Sequence, residues 1–186
     1  MFSLTISTER WTESSTPDHD RNPEPLSRLR QTARMITSRV RSAVLPAEIE
    51  FRPLRVLVVD DHPDAADALV AVLELLDCPG RACRDGRTAL ATAIEFQPQV
   101  CLLDLMMPKM DGLELAGRLR EQAGGRPLIL IATTALGDLE ARTQTALAGF
   151  HDHLVKPVDT ATLIATLVRV SKILGPNAGP PESDDR

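Results

Sequence analysis

Aromatic side chains are nearly absent. They make up 3% of the 186 residues, and tyrosine does not occur at all. The core must therefore be built from Leu, Val, Ile and Ala. No apolar run approaches the roughly 20 residues that a membrane-spanning helix needs. The N-terminus, "MFSLTISTERW", also lacks the sustained apolar segment of a secretory signal. Both absences point to a cytosolic protein. Cysteine is scarce: Cys78, Cys83 and Cys101 are odd in number and lack zinc spacing. Cys101 lies inside an apolar run, and all three read as reduced, small, mostly buried residues. Basic excess is missing too, since the net charge of −5 gives no overall case for nucleic-acid binding. What is present is a hydrophobic fraction of 43%, enough for one domain of ordinary size with appendages.

The chain divides into three zones. Residues 1–52 are rich in Ser, Thr, Arg and Pro, without a strand-like run. This extension is expected to be mostly disordered, and its pattern allows one element, a basic amphipathic helix over 26–45. There Leu26, Leu29, Ala33, Ile36, Val40 and Val44 recur at helical spacing, amid arginines and without an acid. Such a helix could dock on an acidic surface, but it carries no aromatic anchor. The plainer reading is a weak helix or linker with a solvated basic face. Residues 176–186, "PNAGPPESDDR", form a Pro-rich acidic tail with nothing to bury, and disorder is expected.

Residues 53–175 alternate strand and helix patterns. Strands are expected at 54–59, 81–83, 100–104, 128–132 and 153–156, and helices at 63–76, 87–97, 112–122, 138–148 and 160–174. Continuous apolar runs such as "LRVLVV" suit parallel strands buried on both faces. Regular alternation implies an α/β fold, a parallel sheet covered by helices on both sides.

Polar residues collect where these strands end. The first ends at Asp60-Asp61, the third at Asp104, the fourth at Thr133-Thr134 and the fifth at Lys156-Pro157. Ligands of open parallel sheets bind outside the carboxyl ends of the strands. Three carboxylates there would repel one another, and a hard divalent cation such as Mg²⁺ relieves this. Lys156 then offers a point charge for a phosphoryl group. Singly, each residue has an ordinary explanation. Asp61 or Asp64 could serve a helix N-terminus, Thr134 could be a cap, and Lys156 a solvated charge. Their joint order along four strand ends is hard to obtain by chance.

The segments "VLVVDDHPD", "CLLDLMMPKMDG", "IATTALG" and "HLVKP" together resemble the receiver domain of two-component response regulators, over residues 53–174. The resemblance implies a flavodoxin-like, doubly wound five-stranded sheet of order 2-1-3-4-5. It implies that Asp104 is the phosphoacceptor, and that Asp60, Asp61, Asp104 and the backbone carbonyl of Met106 hold Mg²⁺. Thr134 rather than Thr133 matches the switch hydroxyl, because Ala135 then takes the small-residue position beside it. Lys156 matches the phosphate-binding lysine, usually followed by a cis proline bond. The aromatic switch position falls at His153, which can also be read as a surface histidine. The implied partners are a sensor histidine kinase or histidine phosphotransfer protein and a downstream target protein, with no direct DNA binding. No output domain is read after residue 175, so a single-domain regulator is expected, catalysing only its own phosphorylation and dephosphorylation.

Three other readings compete. A phosphohydrolase of the haloacid dehalogenase type needs a second Asp two residues after the nucleophile, where this chain has Met106. A flavin binder needs a phosphate cradle, which "DDHPD" would repel. A receiver-like interaction module that is never phosphorylated would not need the complete acidic site. Finally, the last helix has a core stripe of Leu163, Leu167, Val170 and Leu174, with Ile164 and Val168 widening it. The wider surface is read as a partner or homodimer face of the fourth helix, fifth strand and fifth helix. The alternative is a wide core stripe covered by a neighbouring helix.

Overall fold

The structure, a computed structural model, describes residues 51–135 and 139–175. The expectations for the helix over 26–45 and for the acidic tail lie outside those residues. Strands β1 (Val56–Val59), β2 (Gly80–Cys83), β3 (Val100–Asp104), β4 (Ile129–Thr134) and β5 (Asp152–Val155) alternate with helices α1 (Pro63–Leu75), α2 (Gly86–Phe96), α3 (Gly112–Ala123), α4 (Leu139–Leu147) and α5 (Thr160–Leu174). The sheet is parallel, in the order β2-β1-β3-β4-β5. Every residue of β1, β3 and β4 is buried, as continuous apolar runs require, whereas the edge strands β2 and β5 are partly open.

Strand residues alternate between two cores. Val56, Val58, Val100, Leu102, Ile129, Ile131 and Leu154 face the side covered by Ala66, Leu69 and Leu73 of α1 and Leu163, Leu167 and Val170 of α5. Leu57, Val59, Cys101, Leu103, Leu130 and Ala132 face Ala89 and Ala93 of α2 and Leu115, Ala116 and Leu119 of α3. Packing begins ahead of β1. Phe51 and Leu54 join the first core, and the Arg52 amide donates to Ser171 Oγ on α5 at 2.9 Å. Cys78, Cys83 and Cys101 are buried and form no disulfide. Burial raises the thiol pKa of both Cys83 and Cys101, which makes them unreactive core residues.

Among the described residues, three helices have an aspartate at the N-cap. Asp85, Asp111 and Asp159 accept hydrogen bonds from the amides of Thr88, Glu114 and Thr162, each at 2.8 Å. α1 differs. Its N-cap position is His62, which makes no side-chain cap bond, and Pro63 supplies the preset backbone of the first turn. Asp61 is therefore not spent on capping, and the ordinary explanation for that carboxylate fails.

Two expectations need correction. β4 runs on to Thr134 rather than stopping at Ala132, because its ladder continues with Thr133 opposite Asp104 and Leu154 and Thr134 opposite Val155. Hydrophobicity ends at Ala132, but the ladder bonds belong to the backbone. Ile164 and Val168 are not an exposed apolar face. Both are partly buried and pack against the core shared by α1 and α5, as Leu174 does. The stripe is wide because Ile164 and Val168 pack at the rim of that core.

Candidate functional site

The order β2-β1-β3 places chain reversal between β1 and β3, so a crevice opens at their carboxyl ends. Asp60 directly follows β1 and Asp104 is the last residue of β3, with 1% and 3% exposure. Two buried carboxylates need a cation. Lys156, just past β5, supplies it: Nζ lies 2.6 Å from Asp104 Oδ2 and 2.7 Å from Asp60 Oδ2. Burial pulls the Lys156 pKa down, but hydrogen bonds and charge from Asp104 and Asp60 more than offset this. The net direction is upward from the usual 10.5. Lys156 is fixed by its backbone too, since its amide donates to the Thr134 carbonyl at 2.8 Å and the Lys156–Pro157 bond is cis, as expected.

The other oxygen of each buried carboxylate is held by the chain. Met106 N–H donates to Asp104 Oδ1 at 3.1 Å, and His62 N–H to Asp60 Oδ1 at 3.0 Å. With a bond on both oxygens, the Asp104 carboxylate is clamped at the strand end. The Met106 side chain is exposed, so the contribution of this residue to the pocket is its backbone. Asp61 is part-exposed at the rim and pairs with the exposed His62 ring, Nδ1 to Oδ1 at 2.9 Å. Ligand atoms of Asp60, Asp61, His62 and Asp104 all lie within 4.8 Å of one another. Three hard oxygen donors at this spacing fit a Mg²⁺ ion, which takes carboxylate oxygens and keeps several waters.

Thr134 is buried at the end of β4, one residue beyond the register partner of Asp104. His153 is partly buried on β5 opposite Ala132. Side chains alternate along strands, so Thr134, Ala132, His153 and Val155 share one sheet face. The structure thus gathers Asp60, Asp61, Asp104 and Lys156 in one pocket, and sets Thr134 and His153 beside it on a common face.

Two contributors were not recognised from the sequence. The first is Gly112, the first residue of α3. A Cβ there would lie 2.4 Å from the Asp104 carbonyl oxygen and 2.9 Å from Leu105 Cα. Glycine lets α3 close against the strand end that carries Asp104. The Asp-Gly pair signals a turn, but nothing local shows which backbone it will meet. The second is His62, whose only local signal is adjacency to the acidic pair.

Comparisons with known proteins agree with this geometry. The family model for the response regulator receiver domain matches residues 56–168, more than half of the chain. A Leptolyngbya boryana protein of 14.6 kDa, uncharacterised, is 37% identical over 123 residues, covering 66% of this chain and 94% of its own length. The DNA-binding dual master transcriptional regulator RpaA of Synechocystis is 33% identical over 111 residues, covering 60% of this chain. The chain spans 46% of RpaA, and about half of the other named regulators it matches, such as 56% of MprA from Mycolicibacterium vanbaalenii. Among solved structures, the Vibrio cholerae chemotaxis protein CheY4 superposes with a TM-score of 0.60 at 29% identity, covering 64% of this chain and 99% of that one. The chain belongs to the response regulator receiver domain family of two-component signalling.

Proposed function

We propose that this receiver accepts a phosphoryl group from a phosphohistidine donor onto Asp104 in a Mg²⁺-dependent reaction. The observation that carries the reading is the contact of one ammonium, Lys156 Nζ, with both Asp60 and Asp104 in a buried pocket. Asp104 attacks phosphorus through a carboxylate oxygen. The new bond is P–O, the bond broken is P–N, and the imidazole leaves with the electron pair. The clamps from Met106 and Lys156 hold the nucleophile in line, which matters because alignment supplies much of the rate. Lys156 exchanges part of its contact with Asp104 for the transferred oxygens. Asp60, Asp61, Asp104 and the Met106 carbonyl would hold a Mg²⁺ ion, which would supply positive charge against those oxygens.

The partners this chemistry calls for are a sensor histidine kinase or a histidine phosphotransfer protein. Output passes through the surface of α4, β5 and α5 to a target protein or a second copy of the chain. Thr134 and His153 link that surface to the phosphoryl group, from a shared face of the sheet. Among the described residues its exposed large apolar side chains are Leu147, Val155 and Ile173. Those three, rather than Ile164 and Val168, are the contact points to test.

The test is acyl phosphate formation with a small phosphodonor, with and without Mg²⁺, in the full chain. Wild type labels only with Mg²⁺. Asp104→Asn, nearly isosteric, stays folded and does not label. Asp60→Ala and Asp61→Ala weaken the Mg²⁺ dependence. Labelling of Asp104→Asn at the native rate would remove Asp104 as nucleophile, and an unchanged Mg²⁺ titration in both other variants would remove the metal assignment.

A further inference from the structure

An apolar groove runs between α1 and α5. At its head a cavity of about 200 Å³ opens between Ala65, Ala68 and Leu69 of α1 and Pro157 and Val158 after β5, beside Asp60 and Lys156. Cavities that hold small-molecule ligands measure about 300–1,000 Å³, so this one suits aliphatic side chains. Val72 continues the line along α1, partly buried, and Leu75 ends it at 43% exposure. The other wall belongs to α5. Thr166 and Arg169 turn to Asp152 at the β5 edge. Ile164 and Val168, on the opposite flank of the core stripe, therefore turn to α1. The chain ahead of β1 crosses the foot of the groove. Arg52 N–H donates to Ser171 Oγ of α5 at 2.9 Å, and that hydroxyl donates to the Arg52 carbonyl at 3.2 Å. Leu54 N–H donates to Cys78 Sγ, just past α1, at 3.4 Å. Phe51 is buried beside them, so the first 50 residues depart from between the two helix ends.

We propose that the chain fills this groove itself: residues 26–45 turn back as a helix and lay the stripe of Leu29, Ala33, Ile36, Val40 and Val44 between α1 and α5. The inference goes beyond the proposed function, since it does not require phosphorylation. Apolar helix faces with anchors at this spacing are what hydrophobic grooves accept. The length fits. Residues 46–50 reach at most about 18 Å, enough to reverse direction at the foot, and Pro46 suits a position just past a helix end. From Leu45 back to Arg30 a helix measures about 22 Å, against about 20 Å for the 13 residues of α1. Arg30 then stands at the head. The direction fits too, because the segment runs from head to foot and leads into a strand, as α1 does. The charge fits as well. Residues 26–45 carry Arg28, Arg30, Arg34, Arg39 and Arg41 and no acid. Residues 61–77 carry Asp61, Asp64, Asp67, Glu74 and Asp77 and no Lys or Arg. On α5 the exposed Lys172 is basic, so the pairing is with α1.

The experiment is NMR of the isotope-labelled full chain with a nitroxide attached at Arg30→Cys. Cys78, Cys83 and Cys101 are buried, so the label goes to position 30. Expected is loss of the amide signals of Ala65, Ala68 and Val158 at the head of the groove. Signals of α2 and α3, which cover the other side of the sheet, persist. Ile36→Asp/Val40→Asp removes the apolar stripe without touching the described domain, and Ala68→Arg sets a repelling charge on an exposed groove position. Each should restore the lost signals at an unchanged urea midpoint. The proposal is overturned if no signals are lost, if they are lost evenly over all helices, or if the loss falls chiefly on α4 and β5. A loss at the groove that survives either set of substitutions overturns it too. Mixing nitroxide-bearing chain without isotope with isotope-labelled chain without nitroxide identifies the remaining occupant. Signal loss in that mixture would place the segment on a second copy and overturn docking within one chain.

Discussion

Gly112→Ala is the sharpest perturbation of the site that leaves every functional side chain in place. The added methyl would sit 2.4 Å from the Asp104 carbonyl oxygen, 3.0 Å from its carbonyl carbon and 2.9 Å from Leu105 Cα. These neighbours are backbone of a buried strand end, so no side chain can rotate away. Relief requires α3 to withdraw from β3 by roughly 1 Å, against an overpacking penalty of about 1–3 kcal/mol. Ala favours a helix over Gly by at most about 1 kcal/mol, and by less in the first turn. The clash wins, with a net loss of about 1–2 kcal/mol. Gly117 in the same helix is the matched control, since a Cβ there meets nothing within 4 Å. Gly117→Ala should gain up to about 1 kcal/mol. Urea unfolding reads both changes. With a slope of about 1–3 kcal/mol per M, the Gly112 variant should shift by somewhere near 1 M to lower urea, at unchanged slope. Withdrawal of α3 also pulls on the hydrogen bond from Gly112 N to the Leu105 carbonyl, observed at 3.2 Å, and so on the loop that clamps Asp104. Phosphoryl uptake should fall by up to about 100-fold. Native stability together with native uptake in Gly112→Ala would refute the close-approach reasoning.

Four further outcomes can be checked. Lys156→Met leaves two buried carboxylates without their shared ammonium and should cost roughly 3 kcal/mol in metal-free protein, partly restored by Mg²⁺; equal unfolding curves with and without Mg²⁺ would contradict this. The raised pKa of Lys156 means that its ionic contribution is complete below about pH 10.4 and is lost as pH climbs through the folded value. The alkaline limb of the wild-type stability profile should therefore be shallower in Lys156→Met. Ile164→Glu/Val168→Glu puts charge against the α1–α5 core and should lower stability by several kcal/mol on the scale of buried charge, whereas Val155→Glu, at an exposed position, should leave the urea midpoint nearly unchanged. Met106→Asn supplies an amide beside Asp104 that can place an attacking water, so the acyl phosphate should decay faster than in wild type; equal or slower decay counts against that role.

The fold was legible because the buried strands announce themselves. β1 and β3 are continuous apolar runs, and the helices between them carry their own punctuation. Asp85, Asp111 and Asp159 each precede a helix, and Gln97 and Gly124 close two helices in the left-handed conformation. The site was legible to the extent that chain order equals spatial order at strand ends, as for Asp60, Asp104 and Lys156. What stayed hidden depends on contacts between elements. The last residues of β4 are polar, so hydrophobicity ends before the ladder does. Gly112 matters through a strand end eight residues earlier. Ile164 and Val168 widen a stripe in a way that fits either a partner face or a core. Only the position of α1 relative to α5 decides between them, and no periodicity encodes that.

The charge balance of the pocket explains why one lysine and one divalent ion belong together. Asp60, Asp61 and Asp104 carry three negative charges, and Lys156 contributes one positive charge within 2.7 Å of two of them. Two negative charges remain, the charge that a single divalent cation cancels. Burial makes that remainder expensive, because Asp60 and Asp104 are almost without solvent and cannot screen each other through water. On the proposed function, transfer of a phosphoryl group to Asp104 would replace one carboxylate charge by a more highly charged group, and the demand for cations would rise. A monovalent ammonium alone cannot meet it. Lys156 is placed on Oδ2 of both buried acids, while Oδ1 of Asp60 faces His62 and Oδ1 of Asp104 faces Met106. The chain thus sets its own cation on one edge of the two buried carboxylates, and on the proposed function an ion from solution would approach from the other edge, beside Asp61. On the proposed function, lysine and metal would act on opposite sides of the same nucleophile. Removing either should slow phosphorylation, and the two losses should not add.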